Sequence, residues 1–167
     1  GRTAGRCAET AAPLRRPGLP HVEAARVTFF APFTGADPMR VFNRFVYNHR
    51  ASYADEMEKV VDHYTTFGIK RFAIVHYEDP IGKANYGAVE RALKARNLSV
   101  VAVASLQRTQ TDISKDVAKV LQANPDVNFL FTSSDFMHPQ IQQVLETFDM
   151  WHKRGEKGHV IFGGFDG

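Results

Sequence analysis

Four places in this sequence gather groups able to hold a small molecule, and each follows a short apolar run. Tyr77, Glu78 and Asp79 follow the run from Phe72 to His76. Ser105, Gln107 and Arg108 follow Leu98 to Ala104, and Ser133, Ser134 and Asp135 follow Val127 to Phe131. Phe165 and Asp166 follow His159 to Phe162. A carboxylate accepts two hydrogen bonds in one plane, which suits an ammonium group or two neighbouring hydroxyls. An aromatic ring offers a flat apolar face to a sugar ring or an aliphatic side chain. The set therefore points to a small polar ligand, rich in hydroxyls or carrying an ammonium. Each residue also has a plainer use. Asp79 and Asp135 stand at expected helix starts, where capping is the commoner role, and Tyr77 serves equally as strand-edge packing.

Motifs for bond-making chemistry are missing. No Gly-x-Ser-x-Gly elbow occurs. No Gly-x-Gly-x-x-Gly follows an expected strand, and Gly82-Lys83 lacks the spacing of a phosphate-binding loop, so no nucleotide cofactor is expected. The seven histidines are scattered, and Cys7 is the one cysteine. An internal disulfide or a multi-cysteine metal site is thereby excluded. No catalytic residue and no metal ligand is assigned. The net charge of +3 owes much to Arg2, Arg6, Arg15 and Arg16. The remainder is nearly balanced, so the charge argues only weakly for a nucleic-acid partner, and none is assigned. No apolar run reaches the length of a membrane-spanning helix, and no signal-peptide pattern is present.

The elements that must position the four polar groups are legible as a repeat. Met57, Val60, Val61, Tyr64 and Phe67 recur at helical spacing before Gly68. Ser52 and Asp55 before them have capping-box spacing, with the shorter Asp in place of Glu. Asp79-Pro80 opens a second helix to about Arg96, with Ile81, Ala84, Ala88, Ala92 and Ala95 facing inward. Thr111-Asp112 caps a third helix, which uses Ile113, Val117, Val120 and Leu121. Ser133-Ser134-Asp135 opens a fourth, which uses Ile141, Val144, Leu145 and Phe148. The order from Ser52 is α-β-α-β-α-β-α-β. Alternating short strands and helices imply an α/β fold, a parallel sheet with helices on both faces. In such sheets ligands bind outside the carboxyl ends of the strands, where the four polar groups fall. Ahead of this repeat, Val27–Phe33 reads as a short buried strand and Phe42–Tyr47 as another. Residues 1–20, with Pro13, Pro17, Gly18 and Pro20 and no aromatic residue, read as a disordered or foreign segment.

Several stretches resemble a known family. Pro32-Phe33-Thr34-Gly35-Ala36, Phe42-Asn43-Arg44, Arg50-Ala51-Ser52-Tyr53, Lys70-Arg71-Phe72-Ala73-Ile74-Val75, Asp79-Pro80-Ile81-Gly82 and Val89-Glu90-Arg91-Ala92-Leu93 are similar to type I periplasmic binding proteins for branched-chain amino acids. Asn128 to Asp135 and Val160 to Gly167 instead resemble the ribose-like sugar branch of the same fold, as found also in regulator effector domains. The mixture implies a fragment or a fusion. The resemblance implies two lobes closing on ligand, with residues 21–52 a remnant of the first lobe and its hinge strand, and 53–167 the second lobe. Thr34 and Ala36 match positions that hold an amino acid's carboxylate and ammonium, and Ser52 and Tyr53 fall near the hinge contact. Ser134 and Asp166 match sugar-hydroxyl positions. Ile81 departs from the amino-acid branch, which often has a ligand-covering aromatic there. The implied function is that of an extracytoplasmic solute-binding component of an ABC importer. It would be periplasmic, have a membrane permease as partner, and bind an amino acid or a sugar. The alternative is an effector-sensing domain of a regulator or receptor.

Overall fold

The computed structural model describes residues 18–164. The expectations for residues 1–17, Phe165 and Asp166 lie outside the described residues. The chain divides into two compact units, one up to Glu56 and one from Met57 on.

The first unit holds helix α1 (Gly18–Ala25) and a two-stranded parallel sheet of β1 (Phe29–Phe30) and β2 (Val46–Tyr47). Gly18 to Pro20, grouped by sequence with the loosely attached segment, form the first turn of α1. Proline is tolerated there because the first amides of a helix have no partner within it. The expected strands shrink. Ala31 sits at a left-handed φ of 51°, immediately before Pro32, and ends β1. The Asn43 side-chain carbonyl accepts the Phe45 amide at 2.9 Å, a local turn that delays β2. Nor is this region a buried strand, since Phe30 is 70% and Phe42 93% exposed. Apolar runs imply burial only where a second layer covers them.

The second unit begins within helix α2 (Tyr53–Thr66). It continues as β3 (Phe72–Tyr77), α3 (Pro80–Lys94), β4 (Val100–Leu106), α4 (Ser114–Ala123), β5 (Phe129–Thr132), α5 (His138–Thr147) and β6 (Ile161–Gly163). All pairings are parallel, in the order β4-β3-β5-β6. Strand side chains alternate between faces. Ala73, Val75, Leu106 and Leu130 meet Val117, Leu121, Ile141 and Leu145 of α4 and α5. On the other face Phe129 lies 4.8 Å, ring centre to ring centre, from Tyr64 of α2, and α3 packs along β3. The three-layer α/β arrangement expected from the repeat is what the chain adopts.

Local boundaries differ for identifiable reasons. α2 ends where Gly68 takes φ 81° and the Ile69 amide returns to the Tyr64 carbonyl, leaving Phe67 62% exposed. α3 ends the same way on Asn97, at φ 57°, with the Leu98 amide bonded to the Leu93 carbonyl. Leu98 is thereby taken from β4, which starts two residues later. The buried stripe of α3 is Gly82, Asn85, Ala88, Val89, Ala92 and Leu93, whereas Ala84 and Ala95 are exposed and Ile81 half-buried. An alanine-rich helix carries two plausible stripes, and the larger Val89 and Leu93 decide which is buried. α5 starts at His138 rather than at Ser133, because a short 3-10 turn over Asp135–Met137 precedes it.

One contact sets how closely α3 follows β3. A Cβ built on Gly82 would lie 2.0 Å from the Tyr77 carbonyl oxygen. We expect Gly82→Ala to lower stability by roughly 3 kcal/mol, the upper end for an overpacked site. Gly87, on the same helix, would meet only the Arg91 side chain at 3.3 Å. Gly87→Ala should raise stability by up to about 1 kcal/mol through helix propensity. Urea unfolding of the two variants beside the parent chain checks both signs.

Candidate functional site

The strand order has a direct consequence for where a ligand can sit. The chain passes from β3 outward to β4, then returns across β3 to β5 on its other side. Loops after β3 and β5 therefore leave in opposite directions, and a crevice opens between them at their carboxyl ends. Val75 pairs with Thr132. Tyr77, Glu78 and Asp79 thus stand across from Ser133, Ser134 and Asp135 on one edge, with Ser105 and Arg108 flanking from β4. One concavity of the second unit, about 570 Å³, lies elsewhere, lined by Val127, Asn128, Met150 and His159. Most of these residues precede strands, which places it at the amino edge and away from the gathered polar groups.

On the β3 side the acids are already engaged. Asp79 Oδ1 accepts the Gly82 amide at 2.7 Å, and Oδ2 accepts Arg108 Nε at 2.9 Å as well as Arg108 Nη2. Burial pushes the Asp79 carboxyl upward, but the Gly82 amide and the Arg108 guanidinium outweigh it and hold the group below its ordinary range. The capping role is thus the one the geometry displays. The Arg108 guanidinium also lies 4.3 Å over the Tyr77 ring, so that face of the aromatic is covered. Glu78 pairs with Lys83 at 2.6 Å, and the Lys83 ammonium, then the Ser105 hydroxyl, lower its pKa. His76 is buried, with Nδ1 2.8 Å from the Tyr77 carbonyl and Nε2 3.1 Å from Ser105 Oγ. With Nδ1 as the donor, Nε2 is left to accept the serine hydroxyl, so this histidine is satisfied structurally.

The β5 side is more open. Ser134 is buried, and its carbonyl accepts the Thr132 hydroxyl at 3.2 Å. Asp135 makes no capping bond. Its Oδ1 lies 3.0 Å from His138 Nε2, and its side chain stays 33% exposed. A Cβ on Gly164, just past β6, would stand 2.6 Å from Asp135 Oδ1 and 2.4 Å from His138 Nε2, so only glycine fits there. Phe136, next in sequence, is 86% exposed on the same edge. Sequence reasoning passed over it because the stretch was read as the opening of a helix. An aromatic outside any apolar repeat, beside an acid after a strand, was the available signal.

In the first unit the structure brings Thr34, Ala36 and Tyr53 together around Gly35. Thr34 Oγ1 accepts the Ala36 amide at 3.2 Å and lies 3.4 Å from the Tyr53 hydroxyl. The Tyr53 amide donates to the Gly35 carbonyl at 2.9 Å. A Cβ on Gly35 would meet the Tyr53 ring at 2.7 Å. Ser52 is occupied as the cap of α2: its hydroxyl accepts the Asp55 amide at 3.1 Å, and Asp55 returns the bond to the Ser52 amide at 3.2 Å. The reciprocal capping box expected from sequence is present despite the shorter acid.

A family profile described as periplasmic binding protein matches residues 10–151. The chain belongs to the periplasmic binding protein family. Among solved structures it is similar to a substrate-binding periplasmic protein from Ralstonia solanacearum, at 29% identity and a TM-score of 0.69, covering 90% of this chain and 39% of that one. It is similar in fold to a possible leucine/isoleucine/valine-binding protein from Rhodopirellula baltica SH 1, at 20% identity and a TM-score of 0.72, covering 92% and 41%. An ABC transporter substrate-binding protein from Desulfitobacterium hafniense, solved in complex with Leu, shares the fold at 13% identity and a TM-score of 0.68, covering 89% and 42%. The chain thus spans about two fifths of the length of these binding proteins. Among curated proteins no match is found. Members of the family and these structural relatives are substrate-binding proteins rather than enzymes. Among the described residues no group of three or more His, Cys, Asp or Glu is arranged to hold a metal ion. No helix there is long and apolar enough to cross a membrane.

Asp79 is the residue whose removal reports on the edge as built. Asp79→Ala should lose about 1 kcal/mol at neutral pH, the usual worth of a helix cap. Because the folded pKa is depressed, this stability is present above the ordinary aspartate range and is lost as pH falls through the folded value. The difference between parent and variant should therefore shrink below about pH 4. Melting temperatures measured from pH 7 downward check both the size and the sign.

Proposed function

We propose that this chain is the solute-binding component of an ABC-type importer, acting outside the cytoplasm. In this reading it captures an amino acid, performs no chemistry on it and delivers it to a membrane permease. The carboxyl edge of the second unit supplies one wall of the binding cleft, and residues 53–167 are the second lobe of a two-lobed clamp. Thr34, Ala36, Ser52 and Tyr53 are ligand contacts by their likeness to the amino-acid branch. Asp166 is a further contact, assigned on sequence likeness alone.

The observation that carries the choice of ligand is the state of the acids on that edge. Glu78 is tied to Lys83, and both oxygens of Asp79 are in use. Asp135 makes no hydrogen bond among the described residues: its Oδ1 is buried and faces His138 Nε2 at 3.0 Å. A sugar brings several hydroxyls, each of which needs a partner once water is excluded. A single carboxylate left without hydrogen bonds matches one ammonium group. The structural relatives whose descriptions name leucine or branched-chain ligands agree with this reading.

Calorimetric titration of the 167-residue chain with leucine, isoleucine, valine, ribose and glucose tests it. Binding of the amino acids, with no heat from either sugar, is expected. Asp135→Asn should weaken that binding roughly tenfold, as for loss of a charge-assisted hydrogen bond. Ribose binding without amino-acid binding would hand the site to the sugar branch.

A further inference from the structure

The sheet of the second unit ends on one side at β4, whose one strand partner among the described residues is β3. An edge strand leaves a row of main-chain amides and carbonyls without strand partners, a template for a further strand. Proteins blunt such edges with short strands, charged side chains or proline. β6, at the opposite edge, has three residues. β4 has seven, Val100–Leu106, with no charged residue and no proline among them. It is the longest strand of the described residues. We infer that this edge is an interface at which a second copy of the chain docks. β4 pairs with β4 of the second copy in antiparallel fashion and joins two four-stranded sheets into one.

Three features support a second copy as the occupant. The edge is open and apolar at its middle: Val103 is 40% exposed, and a concavity of about 360 Å³ runs along Val101 to Ser105, between β4 and α4. The rim of that concavity carries one charge of each sign, Asp116 and Lys119 of α4. Asp116 accepts the neutral Gln110 side-chain amide at 2.6 Å, and neither Asp116 nor Lys119 forms an ion pair among the described residues. Chain direction then makes the two charges self-complementary. β4, β3 and β5 are parallel, so α4 must carry the chain back and runs antiparallel to β4. Asp116 therefore stands toward Ser105, and Lys119 lies about 4.5 Å further toward Val101 along the helix. A twofold axis beside Ala104 brings Lys119 of each copy opposite Asp116 of the other, and Val103 opposite Ser105. A twofold interface makes every contact twice, so both charge pairs form together. A strand of unrelated sequence could use the same main-chain groups but lacks the matching charges.

Sedimentation equilibrium of the 167-residue chain is the test, and the parent is expected to form a dimer. Val103→Lys should raise the dissociation constant of that dimer roughly tenfold, because it places a charge in the middle of the paired edge. Lys119→Glu sets two acids opposite each other in both halves and should also raise it about tenfold. Lys119→Glu combined with Asp116→Lys should return it to within about threefold of the parent. Phe42→Ser, on the exposed apolar surface of the first unit, should leave the dimer intact. Melting at a dilution where every chain is monomeric separates a lost interface from a lost fold. A parent that stays monomeric at its highest soluble concentration overturns the inference. So does a dimer that Val103→Lys leaves unchanged or that Phe42→Ser dissolves, since either result puts the interface elsewhere. Failure of the double exchange to restore the dimer overturns the twofold pairing of the two charges.

Discussion

The second unit depends on how closely a helix can follow a strand. At the end of β3 the chain reverses within two residues, and the first turn of α3 presses on the Tyr77 carbonyl. Only a residue without a side chain can stand at position 82. The Asp79 carboxylate then closes the turn by accepting the Gly82 amide. That one junction sets how closely α3 lies on the sheet. It also determines that Glu78 and Asp79 emerge at the edge rather than in the core. Because Asp79 also binds Arg108 across the gap to β4, the junction ties two strand ends together.

The edge is therefore asymmetric. On the β3 and β4 side, charges neutralise one another and an arginine covers the tyrosine. This half is rigid and electrostatically closed. On the β5 side a short 3-10 turn replaces the immediate helix start, and the result is an acid without a hydrogen bond among the described residues and an aromatic ring turned to solvent. Family membership makes a binding role the frame for this edge. The asymmetry concerns which half has groups left over for a ligand. Glycine is required by close approach at Gly82, against the Tyr77 carbonyl, and at Gly164 and Gly35, against the side chains of His138 and Tyr53.

Much of the fold was legible because it rests on local rules. Asp79 before α3 and the Ser52–Asp55 box were readable as caps, since a cap needs only a short polar side chain at fixed spacing. The strands were found because four or more apolar, β-branched-rich residues between turn signals have few other fates. The inward stripe of α3 was found only in part: Ala88 and Ala92 are buried as expected, but Ala84 and Ala95 are exposed, because small alanines on two faces leave the periodicity ambiguous. The strands of the first unit were overestimated, because Phe30 and Phe42 were assumed to have a layer to pack against and instead are exposed. The start of α5 was misplaced because a 3-10 turn carries no periodicity of its own.

By itself the sequence determined the α/β alternation, the parallel sheet and the list of polar residues that follow its strands, since these depend on periodicity and on short-range capping. Which of those residues have anything left to offer a ligand was decided only by the tertiary structure. Asp79, Glu78 and Asp135 are equivalent as letters. Their difference lies in Arg108 and Lys83, which arrive from 29 positions and 5 positions away in the chain, whereas Asp135 faces only His138, with no hydrogen bond formed. A carboxylate's availability is a property of its partners, and the folded chain brings those partners to it.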